Sequence, residues 1–182
     1  MNYSVEQLIA SIQAGRPPKY LHFWGHTPTS PDTVDKSCFS QWYPAEFELD
    51  GVQYPTAEHY MMAQKALLFG DHAIHDKIVQ CTHPNDAKRL GREVRDFDAA
   101  VWEAERMNIV VCGNQAKFSQ DARLWDYLLG TGERVLVEAS PVDRIWGIGL
   151  AADHAHANDP SKWDGLNLLG FALMTVRDML RG

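Results

Sequence analysis

Two carboxylates stand where the sequence could do chemistry. Glu58 lies in the run from Pro55 to Asp71 (PTAEHYMMAQKALLFGD), which reads as one helix with Thr56 as N-cap and Gly70-Asp71 as its close. Glu58, Met61 or Met62, and Lys65 fall at i, i+3 or i+4, and i+7, so they share a face. At helical rise Glu58 and Lys65 are roughly 10 Å apart, too far for a direct ion pair. Opposite charges on a face that also carries methionines suit a cleft wall or a partly wet surface. An acid in a first helical turn is favoured by the macrodipole alone, and that bland role stays open. The same dipole is expected to keep the carboxylate ionised, available as base, nucleophile or cation stabiliser. The second acid, Asp143, lies in PVDRIWGIGLA with Trp146, Gly147 and Gly149. The two glycines there would let backbone approach a ligand closely. An Asp three residues before a Trp can equally close a turn.

A third constellation is cationic and aromatic. Trp102, Arg106, Gly113 and Lys117 sit at i, i+4, i+11 and i+15 of a long helical segment, within roughly 60° of one another around its axis. They could form one wall of an anion-and-ring site, or Trp102 could be core and the cations solvated. The eight histidines are scattered. His72/His75 and His154/His156 are close pairs, but neither has a neighbouring cysteine or second motif, so no metal site is expected. No GxSxG, Walker or GxGxxG pattern is present, leaving serine hydrolase, P-loop and Rossmann readings without support.

These residues must be positioned by a chain of 182 residues, enough for one domain with a full core. With 45% hydrophobic and 23% charged residues the composition is that of a soluble globular protein. A formal charge of -7 argues against general nucleic-acid binding, yet leaves room for a small anion held by two or three local cations. Cys38, Cys81 and Cys112 are odd in number and lack CxxC spacing, which points away from disulfides and zinc. No run of about 18 apolar residues exists, and the N-terminal stretch reads as an amphipathic helix rather than a signal peptide. A cytoplasmic protein is expected.

In chain order, Ser4 to Ala14 reads as a capped helix and Tyr20 to Trp24 as a short aromatic strand. Gly25 to Lys36 is a loop, long for a compact domain. Phe47 to Tyr54, centred on Asp50-Gly51, is the best local signal: a hairpin with a primed turn. After the Pro55 helix come helical segments from His72 to Cys81 and from about Asn85 to Val94. A long helix capped by Asp98 reaches towards Gln120, and another is capped by Asp121. Arg134 to Ala139 is a strand candidate, two polar connections follow, and Phe171 to Leu180 is a last helix. The pattern predicts one mainly helical α+β domain with a small sheet.

Six blocks taken together resemble the NADAR family, also known as YbiA-like proteins. They are FSQWYPAEFELDGVQYPTAEHYMMAQKALLFGD, AKRLGREV, VWEAER, NQAKFSQ, LLGTGERVLVEASPVDRIWGIGL and WDGLNLLG with LMTVRDML, in one order from about Tyr20 to Leu180. The resemblance implies a single domain over residues 1–182 and hydrolysis of N-glycosidic bonds to ribose, without a cofactor. Members act on ribosylamino-pyrimidine phosphates of early riboflavin biosynthesis, and others remove ADP-ribose from guanine bases. It places the catalytic glutamate on Glu58, the family tryptophan on Trp102 and an acid on Asp143. Ser40-Gln41-Trp42 stands where many members have Ser-Asn-Phe, as in a branch with the SQWYP form. Some ADP-ribosyl-releasing members use a lysine upstream of this block as covalent nucleophile; Lys36 is the candidate here, although a surface lysine on a loop is its default role.

A C1′–N cleavage needs a carboxylate near the anomeric carbon and often a proton donor on the departing base. On this reading Glu58 stabilises the oxocarbenium ion or activates water, and Asp143 orients ribose hydroxyls or assists the leaving group. Trp102 and Trp146 give flat contacts, and Lys65, Arg106 and Lys117 neutralise phosphate. Trp24, Ser40, Gln41 and Gly147 complete the candidate binding set. The partner is then a small ribosyl phosphate or ADP-ribosyl substrate. Two other classes stand beside this reading: a non-catalytic NAD or ADP-ribose-binding module, and a protein-interaction domain whose Glu58 is buried with no pocket beside it.

Overall fold

The computed structural model describes residues 3–182; Met1 and Asn2 lie outside the described residues. The helices are α1 (Val5–Gln13), α2 (Ala57–Leu68), α3 (His72–Gln80), α4 (Pro84–Gly91), α5 (Ala99–Ser119), α6 (Ala122–Leu129) and α7 (Leu168–Arg181). Four short strands accompany them: β1 (Tyr20–Phe23), β2 (Phe47–Leu49), β3 (Val52–Tyr54) and β4 (Val135–Glu138). Two 3-10 turns, Lys36–Phe39 and Pro160–Lys162, interrupt the long connections. This is the expected mainly helical α+β architecture.

Local chemistry accounts for most boundaries. Ser4, Thr56, Asp71, Asp98 and Asp121 each accept a backbone N–H of the helix they open, the N-cap bond their short polar side chains favour. Strands β2 and β3 pair antiparallel, and Asp50 and Gly51 between them both have positive φ (52° and 76°), as a primed turn requires. The long loop after β1 is tied by Asp35, whose carboxylate accepts from Thr29 N, Thr29 Oγ1 and Ser37 N.

Long-range assembly centres on α2. This helix is packed against α3, α4 and α5, and Ala57 to Ala63 are all buried. Space for it comes from glycine: a Cβ on Gly91 of α4 would lie 2.1 Å from Met62 Sδ, and one on Gly113 of α5 would lie 2.4 Å from the Tyr60 ring. Gly113 therefore serves helix packing and not a ligand. Strands β1 and β4 pair in parallel, with Phe23 opposite Glu138. The other side of β4 is clamped by one side chain, that of the fully buried Asn167. Its Nδ2 donates to Leu136 O (2.9 Å) and its Oδ1 accepts from Glu138 N (3.0 Å). This clamp, just before α7, fixes the end of β4 where the site begins.

Candidate active site

One cavity of about 260 Å³ opens where α2, α4, the start of α5, the end of β4 and the 143–146 loop converge. Its walls carry Glu58, Glu138 and Asp143; Lys65, Lys88 and Arg92; and Trp42, Trp102 and Trp146. Met61 and Met62 continue the α2 wall, and Ser40 and Gln41 lead into Trp42. The predicted face of α2 is thus a cleft wall, with Glu58, the methionines and Lys65 in one pocket. A Glu58 buried without an adjoining cavity, the premise of the interaction-domain reading, is not what the structure has.

Glu58 is only 3% exposed, and its Oε1 is sealed from solvent with no hydrogen-bond partner among the described residues. Its own backbone N–H donates to Gln41 O (2.9 Å), which ties the SQW segment to the start of α2. Burial lifts the carboxyl to about 7, opposed by the Lys88 ammonium and the Trp42 side chain. Sequence alone led to the expectation that the helix dipole keeps Glu58 ionised. Desolvation outweighs the dipole here, because the carboxyl lies inside the fold and not on its surface. The result is a group poised near neutrality, where a general base is most effective.

Asp143 fulfils its turn role and still reaches the pocket. Its Oδ1 accepts from Ile145 N and Trp146 N, both at 2.8 Å, which fixes the loop that presents Trp146. Glu138, the last residue of β4, is the acid that the sequence reading passed over. Its Oε2 is sealed and unpartnered among the described residues, and burial first, then the Asp143 charge, lifts its carboxyl to about 8. A carboxylate closing the apolar run Val135–Val137 was the available signal. Lys88 and Arg92, at i and i+4 of the α4 segment, were likewise readable as a cationic face. Lys88 Nζ stands 5.7 Å from the Trp42 ring centre. Lys65 donates to Gly91 O (2.7 Å) and lies over Phe97 and Trp102, at 4.3 and 5.7 Å from their ring centres.

The remaining candidates fall elsewhere. The Trp102–Lys117 stripe spans about 22 Å at helical rise, longer than the cavity, so only its first residue lines it. Lys117 is buried, and its Nζ donates to Cys38 O (2.7 Å) and Ser40 O (2.9 Å). Those bonds hold the approach to Trp42, and they leave the lysine no part in the pocket wall. Arg106 is half-buried outside the lining set. Trp24 is 58% exposed and Lys36 is exposed at the start of its 3-10 turn, both outside the lining. Gly147 packs against Glu138 O, where a Cβ would come within 2.8 Å, so its missing side chain lets two protein segments meet and does not receive a ligand.

A second cavity of about 550 Å³ lies on the other side of Trp42, walled by His26, Pro44, Pro55, Thr56, His83 and Pro84 among others. Among the described residues, no group of three or more His, Cys, Asp or Glu is placed to hold a metal ion, and no helix is long and apolar enough to cross a membrane.

Fold and site together define a small helical α+β domain built around a buried glutamate in a pocket of acids, cations and indoles. Comparison gives that class its family. The NADAR domain model matches residues 22–181, and the chain belongs to the NADAR family. It is 45% identical over 165 residues to N-glycosidase R617 of Acanthamoeba polyphaga mimivirus, covering 88% of this chain and 95% of the viral protein. It is 34% identical over 152 residues to N-glycosidase YbiA of Escherichia coli, covering 84% of each. The NMR structure of E. coli YbiA superposes with a TM-score of 0.69 at 29% identity, over 90% of this chain and 86% of that one. Both of these relatives are named as N-glycosidases, hydrolases of N-glycosyl compounds.

Proposed function

We propose that this chain hydrolyses the C1′–N bond of a ribosylated base that carries phosphate, such as a ribosylamino-pyrimidine phosphate. The observation that carries the reading is the lining of one small cavity: Glu58 with a bare buried oxygen, three cations and three indoles. Its volume falls just under the usual range for drug-sized ligands, which suits a sugar phosphate. In this scheme Glu58 removes a proton from the attacking water and its charge offsets the oxocarbenium ion. Asp143 orients the ribose hydroxyls through its oxygen left outside the turn. Lys88, Arg92 and Lys65 take the phosphate, and Trp42, Trp102 and Trp146 enclose sugar and base. Three free thiols fit a reducing, cytoplasmic setting.

A second reading has its own support. Trp42 is shared between the two cavities, so a larger substrate such as ADP-ribosylated guanosine could extend across it. One experiment separates the readings: incubate the protein with riboflavin-pathway ribosylamines and with ADP-ribosylated guanosine, and detect free base by mass. Release from the ribosylamine alone supports the first. Release from guanosine alone supports the second. Tight binding of ADP-ribose with no release from either would make the chain a binding module.

A further inference from the structure

Glu138 has no place in the scheme above, yet nothing about its surroundings is that of a structural acid. Its backbone is pinned from both sides: Glu138 N donates to Asn167 Oδ1 (3.0 Å), and Ile148 N donates to Glu138 O (2.9 Å). Parallel pairing with Phe23 fixes the register at the same residue. The backbone is therefore locked, and the side chain is delivered to the cavity wall. Among the described residues no hydrogen bond satisfies Oε2, although leaving a sealed carboxyl oxygen without a partner costs stability. A site that presents such a group is built for what the group meets when the cavity is filled.

We propose that Glu138 is the acid that protonates the departing base nitrogen. The proposal rests on the N-glycosidase reading and adds the proton donor which that chemistry requires. Cleavage sends the C1′–N electron pair to nitrogen, and the Glu138 carboxyl hydrogen follows it there. Water oxygen bonds to C1′ and loses its proton to the Glu58 carboxylate. Ribosyl-base plus water becomes free sugar plus neutral base bearing a new N–H. Glu58 then holds one proton more and Glu138 one fewer, and exchange across the pocket or with solvent resets the pair.

The charges facing Glu138 decide which acid holds the proton. From α2 comes Glu58 and from the 143–146 loop comes Asp143, both raising it; from α4 comes Lys88, which lowers it. Lys65 and Arg92 line the same cavity. Lys88 is the leading influence opposing burial at Glu58, whereas at Glu138 the Asp143 charge adds to burial before Lys88 acts. Burial lifts both carboxyls, Glu58 to about 7 and Glu138 to about 8, so either can carry a proton near neutrality, and the Lys88 charge weighs more heavily at Glu58. Two acids on one cavity wall, with the Lys88 charge acting mainly on one of them, are an arrangement in which one can serve as base and the other as acid.

The test uses Glu138→Gln in the full chain and two substrates. One is a ribosylamino-pyrimidine phosphate, whose amine must be protonated to leave. The other is a 4-nitrophenyl riboside 5-phosphate, whose phenolate leaves unaided. We expect the variant to lose about 100-fold or more in kcat on the ribosylamine. Its loss on the nitrophenyl riboside should be under about threefold, and the basic limb of the ribosylamine pH profile should vanish. Carbon-13 NMR of the side-chain carboxyls, which needs no turnover, should show one resonance titrating well above the ordinary carboxylate range and missing from Glu138→Gln. Equal losses on both substrates, or a Glu138 resonance in the ordinary range, would overturn the assignment. A wild-type protein that cleaves neither substrate overturns the ribosyl-phosphate reading on which the assignment rests, and the proton donor falls with it.

Discussion

Glu58 and Asp71 stand thirteen positions apart, are both nearly inaccessible, and each belongs to the opening of a helix. Their environments are opposite. Asp71 accepts from Ile74 N, Arg95 N, Arg95 Nε and an Arg95 terminal nitrogen, at 2.8 to 3.3 Å. Those Arg95 bonds hold its carboxyl well below the ordinary range. Glu58 has an oxygen with no partner among the described residues, and burial drives its carboxyl upward. An acid whose lone pairs are all matched ties two segments together and is finished when the chain folds. An acid left unmatched against a cavity is held ready for something that is not protein.

The sharpest way to break that contrast is Glu58→Gln. Turnover should fall by about 1,000-fold, measured as released base, while ligand affinity stays near wild type. Stability should move the other way. Because the folded carboxyl titrates near 7 against 4.5 in a free chain, the unfolded state gives up its proton first as pH rises. Wild-type stability therefore declines between those values, by about 3 kcal/mol, and the glutamine variant loses this slope. A variant that is both less stable and normally active would remove Glu58 from the chemistry.

Asp71→Asn reverses the pattern. The folded carboxyl is depressed, so its stabilisation is present at neutral pH and disappears as pH falls through the folded value. The variant should melt at a lower temperature at pH 7, by calorimetry, with kcat per folded molecule unchanged. Lys117→Met lies between the two acids. It removes two bonds to backbone carbonyls and should cost about 2 kcal/mol in urea unfolding. Since those bonds hold the approach to Trp42, KM should rise several-fold with kcat nearly intact. A change in kcat alone would mean that Lys117 acts on the reaction itself.

Much of this was legible in the residues. Caps at Thr56, Asp98 and Asp121, the Asp50-Gly51 turn and the Glu58–Lys65 face are local patterns, settled within one or two helical turns. The rest depends on pairing over long separations. That β1 lies beside β4 brings Glu138 to the pocket, and no periodicity near either strand specifies it. The reading of α5 failed for a related reason. A stripe tells which side chains share a direction, not how far along the helix a pocket extends, so Trp102 meets the cavity while Lys117 meets Cys38 and Ser40. Composition showed the balance of burial against dipole at Glu58 least of all, since it depends on how deep the helix lies.

The smallest expected effect concerns Lys36, and it bears on whether the resting pocket is complete. Its side chain is exposed at the head of the 36–39 turn, and it does not line the cavity. Asp35 beside it is engaged by Thr29 and Ser37, which fastens this stretch of loop. A covalent imine would need the Lys36 amine at C1′ of an opened ribose, next to Glu58. With the loop fastened, attack by water is the simpler route, and Lys36→Ala should keep kcat/KM within about twofold of wild type, as surface substitutions do. Borohydride added during turnover should then leave the protein mass unchanged. A ribosyl adduct that forms in wild type and disappears in Lys36→Ala would show that the 25–36 loop closes over the substrate. In that case the water would attack an imine carbon and not the oxocarbenium ion, and the task of Glu58 would shift to that second step.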